Sequence, residues 1–279
     1  MISAPEEVER RSIRSHYNLS TLFYRLLWGP HLHHGLWSGN ESSQVAQLQL
    51  TETLAKLAEI RDGNSVLDVG CGMGASSIYL AKTFGCQTEG VTVSPIQRRW
   101  AQLSAMWHGV GKKSHFQCQD VEQAVFDEAR FDVVWSVECT EHLYDKPRFF
   151  QNAAKWLKPG GRVAICAWLA GENLQDPAQI QQVKDVCEGF FCPSLGTSSD
   201  YTSWMQQAGL QMRCVEDWTD RVYRTWEICR ERIQRFHIRS IARVVDAETV
   251  MFLDRFGTIL DAYRNGAMRY GCFVAEKQR

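Results

Sequence analysis

The chain has 279 residues, with 31 Lys and Arg against 32 Asp and Glu and a net charge of −1 when histidine is neutral. That length suits one large α/β domain with appendages, and the balanced charge excludes a global field for nucleic acid or an anionic membrane, so binding has to come from local patches. The ten cysteines are scattered, several inside apolar runs such as "VAICAW", with no CxxC pair and no zinc spacing at Cys187 and Cys192, which favours a reduced, cytoplasmic protein over a disulfide scaffold.

"MISAPEEVERR" lacks an apolar core of the kind a signal peptide needs, and no later stretch approaches 18 apolar residues, so stable membrane insertion is not expected. Residues 1–60 read as a helical N-terminal flap, with "SSQVAQLQLTETLAKLAEI" its amphipathic helix. Within this flap, "WGPHLHHGLW" sets His31, His33 and His34 between Trp28 and Trp37.

Residues 61–221 alternate between strand and helix signals. "NSVLDV" is a short apolar strand ending at Gly70, and "GASSIYLAKTFG" a helix stopped at Gly85. "CQTEGVTV" is a second strand, Ser94-Pro95 caps a helix over about 95–108, and "SHFQCQD" is a third strand. "FDVVWSVE" has the continuous β-branched and aromatic run of a strand buried on both faces. A helix over about 147–157, the turn "KPGG" and the strand "RVAICAW" follow, then a strand over 211–218. Residues 222–266 form a helical lid insertion before a last strand within 267–279, "MRYGCFVA". The βαβαβ rhythm implies an α/β, Rossmann-like, doubly wound and mostly parallel sheet that binds its ligand at the carboxyl ends of the strands.

"VLDVGCGMG" places Asp68, Gly70, Gly72 and Gly74 at a strand-to-helix turn. Glycine lets the backbone approach a ligand closely, and the next helix opens with unpaired N–H groups, so this turn reads as a nucleotide site. The turn alone does not name the cofactor, since a dinucleotide-binding dehydrogenase shares it.

"LDVGCGMG", "GVTVSPIQ", "FDVVWSVECTEH" and "WLKPGG", in this order, resemble class I S-adenosylmethionine-dependent methyltransferases, with a seven-stranded sheet. "ECTEHLYDK" and "VCEGFFCPSLGTSSDYTSWMQQAGLQMRCVEDWT" extend the resemblance to the γ-tocopherol methyltransferase branch, with sterol and geranyl diphosphate C-methyltransferases as more distant members. The resemblance implies S-adenosyl-L-methionine as cofactor. Gly70, Cys71 and Gly72 would lie against its methionine part, Asp68 would organise the turn with Gly74, and Val137, on the fourth strand, would bind the cofactor as well. The second strand of the superfamily normally ends in an acid for the ribose, whereas this chain has Thr92, with Gln97 in reach of a second bond. Asp120 and Val121, less so Glu122, would read adenine; a solvated loop is the bland alternative.

Methyl transfer needs alignment more than it needs catalytic groups. Glu141 and His142, just past the fourth strand, are the candidates for base or electrostatic stabiliser, although a Glu-His pair in a loop is as readily structural. Cyclopropane synthases share the "EH" and the flap spacing. Their tyrosine-serine-cysteine element and the histidine after the fifth strand are missing here, where the chain reads "CAWLAGENL".

For the three histidines a metal site is disfavoured, because no Cys or Asp cluster accompanies them. A purely structural segment and a flap over the cofactor both remain open. In the flap reading Tyr17 and His33 touch the cofactor, while Leu36 and Trp37, with Trp168, Trp204 and Trp226, line an aromatic acceptor pocket able to face positive charge. Arg232, Arg235, Arg239 and Arg243 form a stripe that is either a solvated face or a peripheral membrane contact. The expected activity is C-methylation of a small hydrophobic acceptor, isoprenoid-bearing or aromatic. Rival readings are N-methylation of a small amine and a non-catalytic S-adenosylmethionine-binding protein. Homo-oligomerisation is left open.

Overall fold

The computed structural model describes residues 1–5, 8, 31–235 and 247–278. Tyr17, Trp28, Arg239 and Arg243 lie outside the described residues. The strands are β1 (Ile2–Ser3), β2 (Ser65–Val69), β3 (Gln87–Thr92), β4 (Ser114–Cys118), β5 (Phe131–Val137), β6 (Leu157–Ala170), β7 (Ser194–Leu195), β8 (Leu210–Asp217) and β9 (Met268–Lys277). The helices are α1 (Ser43–Leu57), α2 (Ala75–Phe84), α3 (Pro95–Trp107), α4 (Lys146–Trp156), α5 (Pro177–Gly189), α6 (Ser198–Gln207), α7 (Thr219–Val222), α8 (Arg224–Arg235) and α9 (Ala247–Asn265). Thr140–His142 is a single 3-10 turn.

Seven of these strands form one sheet in the order β4-β3-β2-β5-β6-β9-β8. β9 runs antiparallel between β6 and β8; the pairings from β4 through β6 are parallel. This is the mostly parallel, seven-stranded α/β sheet expected. Alternation along each strand divides the main core between the two faces of the sheet, and a third, smaller cluster joins Ile78 of α2 and Ala101 of α3 to Phe116 of β4. Val66, Val133 and Trp135 join a layer with α1, α5, α8 and α9, while Leu67, Val69 and Val134 join one with α4 and α6.

Local chemistry sets the helix ends. Ser94 accepts a hydrogen bond from the Gln97 amide to start α3, with Pro95 in the first turn. Thr197 and Asp200 form a reciprocal capping box on α6.

Two expectations are corrected. Ile2–Ser3, read as part of a helical segment, is a strand paired with Ser194 and Leu195; two residues are too few to show a period. "KPGG" is not a separate turn but part of β6, where the register slips so that Leu157 faces Phe131 and Arg162 faces Val133. A bulge absorbs the extra residues there. Among the described residues, the segment 222–266 expected to be helical carries the end of α7 and helices α8 and α9.

Candidate active site

The carboxyl ends of β2, β3 and β5 open into a cleft enclosing about 1120 Å³. Gly70 lies at its floor with φ of 74°, and a Cβ there would stand 2.3 Å from Cys139 Sγ. Only glycine both takes this backbone conformation and lets the end of β2 press against the chain leaving β5. Cys71 and Gly72 continue the floor, and Gly74 sits behind it as the cap of α2. Asp68, buried beneath, accepts a 2.6 Å bond from Ser77 Oγ; burial pushes its carboxyl up to about 6, against the pull of that bond.

At the end of β3, Thr92 Oγ1 donates to Gln97 Oε1 at 2.9 Å and accepts from the Ser94 amide at 3.2 Å. With its carbonyl so engaged, Gln97 keeps a buried amide nitrogen that has no partner among the described residues, on the wall of the cleft. A buried donor left unsatisfied is costly, and a ribose hydroxyl would relieve it. Asp120 Oδ1 accepts from the Glu122 amide at 2.9 Å, and both side chains line the cleft with Val121 and Val137. Glycine floor, orphan amide and acidic far end fit a nucleoside cofactor carrying a cationic amino-acid tail.

The acidic edge differs from expectation. Glu141 is not among the described residues lining the cleft. It is buried behind the edge, with one carboxylate oxygen accepting from the Trp168 amide and the other without a partner among the described residues. Burial pushes its carboxyl up to about 8, so near neutrality it is mostly protonated. His142 does line the cleft. Its Nδ1 donates to the Phe191 carbonyl at 3.1 Å, and burial brings it down to about 4, an imidazole that stays neutral.

Of the two acids in "ECTEH", the one that faces the cleft is Glu138, not Glu141. It has φ of 53°, a strained conformation for a residue with a Cβ and of the kind concentrated at functional sites. Oε1 accepts from the His34 amide (2.8 Å), His34 Nδ1 (2.9 Å) and the Tyr270 hydroxyl (2.7 Å), and Oε2 accepts from Trp168 Nε1 (3.0 Å). Burial opposes its charge, but the His34 imidazole and these bonds hold the carboxyl low, at about 2. Its place at the carboxyl end of β5 was the available signal.

The histidine segment is strapped down. Gln47 Nε2 donates to the carbonyls of His31 (2.8 Å) and His33 (3.2 Å), and Thr225 Oγ1 accepts from the Gly35 amide (3.0 Å) and Trp37 Nε1 (3.1 Å). His33 Nδ1 donates to the His34 carbonyl at 2.7 Å, while its Nε2 lies 3.1 Å from His31 Nδ1. Burial lowers both rings, His31 to about 3, so they face each other as neutral hydrogen-bond partners rather than converging on an ion. His31, Leu32 and His33 line the cleft.

None of the five residues expected around the acceptor is among the described residues lining this cleft. Leu36 is in the core. Trp37 lies under the Arg224 guanidinium, 5.0 Å away. Trp204 stacks on Phe150 in the opposite layer. Trp168 and Trp226, with Tyr263 and Tyr270, close around His34 at centroid distances of 5.0 to 5.9 Å. The side chain at the centre of this ring of aromatics is a histidine of the chain itself.

Residues 5–269 match the family described as mycolic acid cyclopropane synthetase. The chain is 29% identical over 290 residues to a chloroplastic tocopherol O-methyltransferase of Arabidopsis thaliana, covering 97% of this chain and 83% of that one. A cyclopropane synthase of Mycobacterium tuberculosis superposes with a TM-score of 0.85 at 20% identity, covering 95% of this chain and 97% of that one. A geranyl diphosphate C-methyltransferase of Streptomyces coelicolor A3(2), crystallised with S-adenosyl-L-homocysteine, gives 0.72 at 20% identity over 96% and 97%. At such identities the two structures speak for the fold.

Proposed function

Since this chain belongs to the mycolic acid cyclopropane synthetase family and is an S-adenosylmethionine-dependent methyltransferase of small molecules, we propose that its acceptor is hydrophobic, isoprenoid-bearing or aromatic, and is methylated on carbon. When bound, the cofactor supplies an electrophilic methyl group on a sulfonium. The backbone of Gly70, Cys71 and Gly72 holds the methionine part in this reading, Thr92 and Gln97 the ribose, and Asp120 and Val121 the adenine. His33 closes the cleft from the strap side.

Glu138 carries the reading. A carboxylate held ionised by four hydrogen bonds puts a fixed negative charge where the acceptor becomes positive, and a preorganised charge in a dry site costs no reorganisation at the moment of reaction. A carbon acceptor that has gained a methyl group is a strong acid, so even a carboxylate of low basicity can take its proton. His142, neutral and bonded to Phe191, shapes the wall beside it.

The same charge would also attract an ammonium group, which keeps N-methylation as the second reading. Methyl-labelled cofactor offered with prenylated phenols, isoprenoid diphosphates and small amines, followed by carbon NMR of the product, separates the two. A new C–CH3 resonance is expected; labelled methyl found only on nitrogen overturns the carbon assignment. The free cysteines, and the absence among the described residues of any helix long and apolar enough to cross a membrane, support a reducing aqueous compartment, which we take to be the cytoplasm.

A further inference from the structure

Helix α3 carries a surface that the cleft does not use. Its inner face buries Gln97, Ala101 and Ala105. Its outer face sets Ile96, Trp100, Leu103 and Trp107 three or four residues apart, hence in one stripe, with Met106 alongside. Trp107 is 90% exposed, and Leu103 and Met106 are each 63% exposed. An amphipathic helix on a monomer turns such residues inward; a contiguous apolar patch left outside marks a docking surface.

Charge indicates what it docks on. From Gly90 to Gln119 the chain has no acidic residue, while Arg98, Arg99, Lys112 and Lys113 fall within that span. Arg99 is exposed beside the stripe and Lys112 just beyond the end of the helix. A second copy laid on this face would bring like charge against like charge. An anionic lipid surface accepts both components, taking the apolar side chains into the boundary of headgroups and acyl chains and the cations onto phosphate, with tryptophan at headgroup depth. The arginines of α8 serve this role less well, since Arg232 is turned to Ser43 Oγ at 3.3 Å.

We infer that α3 is a peripheral docking helix for anionic bilayers, inserting Leu103, Met106 and Trp107 and setting Arg99 and Lys112 on lipid phosphates. Gln97, on the opposite face of the same helix, lines the cleft, so docking brings the cleft to within about one helix diameter, roughly 10 Å, of the lipid surface. A membrane-dissolved acceptor would be met there; that consequence rests on the proposed function, whereas the docking itself does not.

The test floats the whole protein with vesicles of phosphatidylcholine mixed with phosphatidylglycerol, and with phosphatidylcholine alone. The protein is expected to rise with the mixed vesicles and to be released by salt. Leu103→Gln with Trp107→Ser is expected to lower the partition coefficient at least about tenfold, and Arg99→Gln with Lys112→Gln about fivefold per charge. Calorimetric binding of S-adenosylhomocysteine should be unchanged in both variants, which shows that the fold is intact. Absence of wild-type protein from the mixed vesicles overturns the inference, as does equal flotation of the apolar variant. A wild-type dimer that the apolar variant converts to monomer overturns it in favour of a second copy. Failure to find a methylated product bears on the reaction alone, and failure to float on this surface alone.

Discussion

The floor of the cleft, at the end of β2, and its acidic edge, at the end of β5, touch at Gly70 and Cys139 yet are built by different means. The floor is one continuous turn, Gly70 to Gly74, whose function lies in backbone conformation and in the absence of side chains. The edge is a carboxylate held by groups from three distant places, His34 on the strap, Trp168 on β6 and Tyr270 on β9. Two glutamates three residues apart meet opposite fates there. Glu138 faces the cleft amid hydrogen-bond donors and stays ionised, whereas Glu141 faces the interior with a single partnered oxygen and holds its proton. Charge at a site is therefore decided by how many donors converge on a carboxyl, not by the presence of the residue.

The comparison breaks first at His34. His34→Leu would leave a buried carboxylate without its facing imidazole, and a loss of about 3 kcal/mol in unfolding free energy is expected, measured by denaturant titration; a loss below about 1 kcal/mol would mean that Tyr270 and Trp168 suffice. Next, Glu138→Gln should lower kcat about 100-fold with KM for the cofactor nearly unchanged, while Glu141→Gln stays within about threefold of wild type on both. Steady-state kinetics of the pair decide it, and equal losses would erase the distinction between the two acids. On the cofactor side, Gln97→Leu should weaken S-adenosylhomocysteine about tenfold in a calorimetric titration, the worth of one buried hydrogen bond, and leave saturated turnover intact.

The two acids also differ in how they respond to pH. Glu138 has its folded pKa depressed from 4.5 to about 2, so its stabilisation is present above about 4.5 and is lost as the pH falls towards 2. Glu141 is raised from 4.5 to about 8, so its contribution is full below about 4.5 and is lost as the pH rises through 8. Thermal melts should therefore show Glu141→Gln gaining on the wild type between about pH 5 and pH 8. Parallel curves would place Glu141 in a wetter setting than the structure gives it.

Much of the architecture was legible because its causes are local. Gly85 stops α2 with φ of 73°, Ser94 and Pro95 start α3, and the continuous apolar run of β5 announces a strand covered on both faces. The glycine turn and the neutral Thr92–Gln97 pair could be read for the same reason, since each lies within a few residues of chain. The β1–β7 pair and the slip in β6 could not, because neither leaves a period in sequence.

In the site the boundary is sharper. Sequence by itself determined the sheet, the position of the cleft at its carboxyl edge and the backbone that floors it, because strand periodicity and glycine conformation are properties of neighbouring residues. Only the tertiary structure decided which acid of the β5 edge faces the cleft, and that Trp168 and Trp226 enclose His34. Those outcomes depend on residues more than 100 positions apart, such as His34 and Glu138, arriving at one point where burial and hydrogen-bond geometry fix ionisation together.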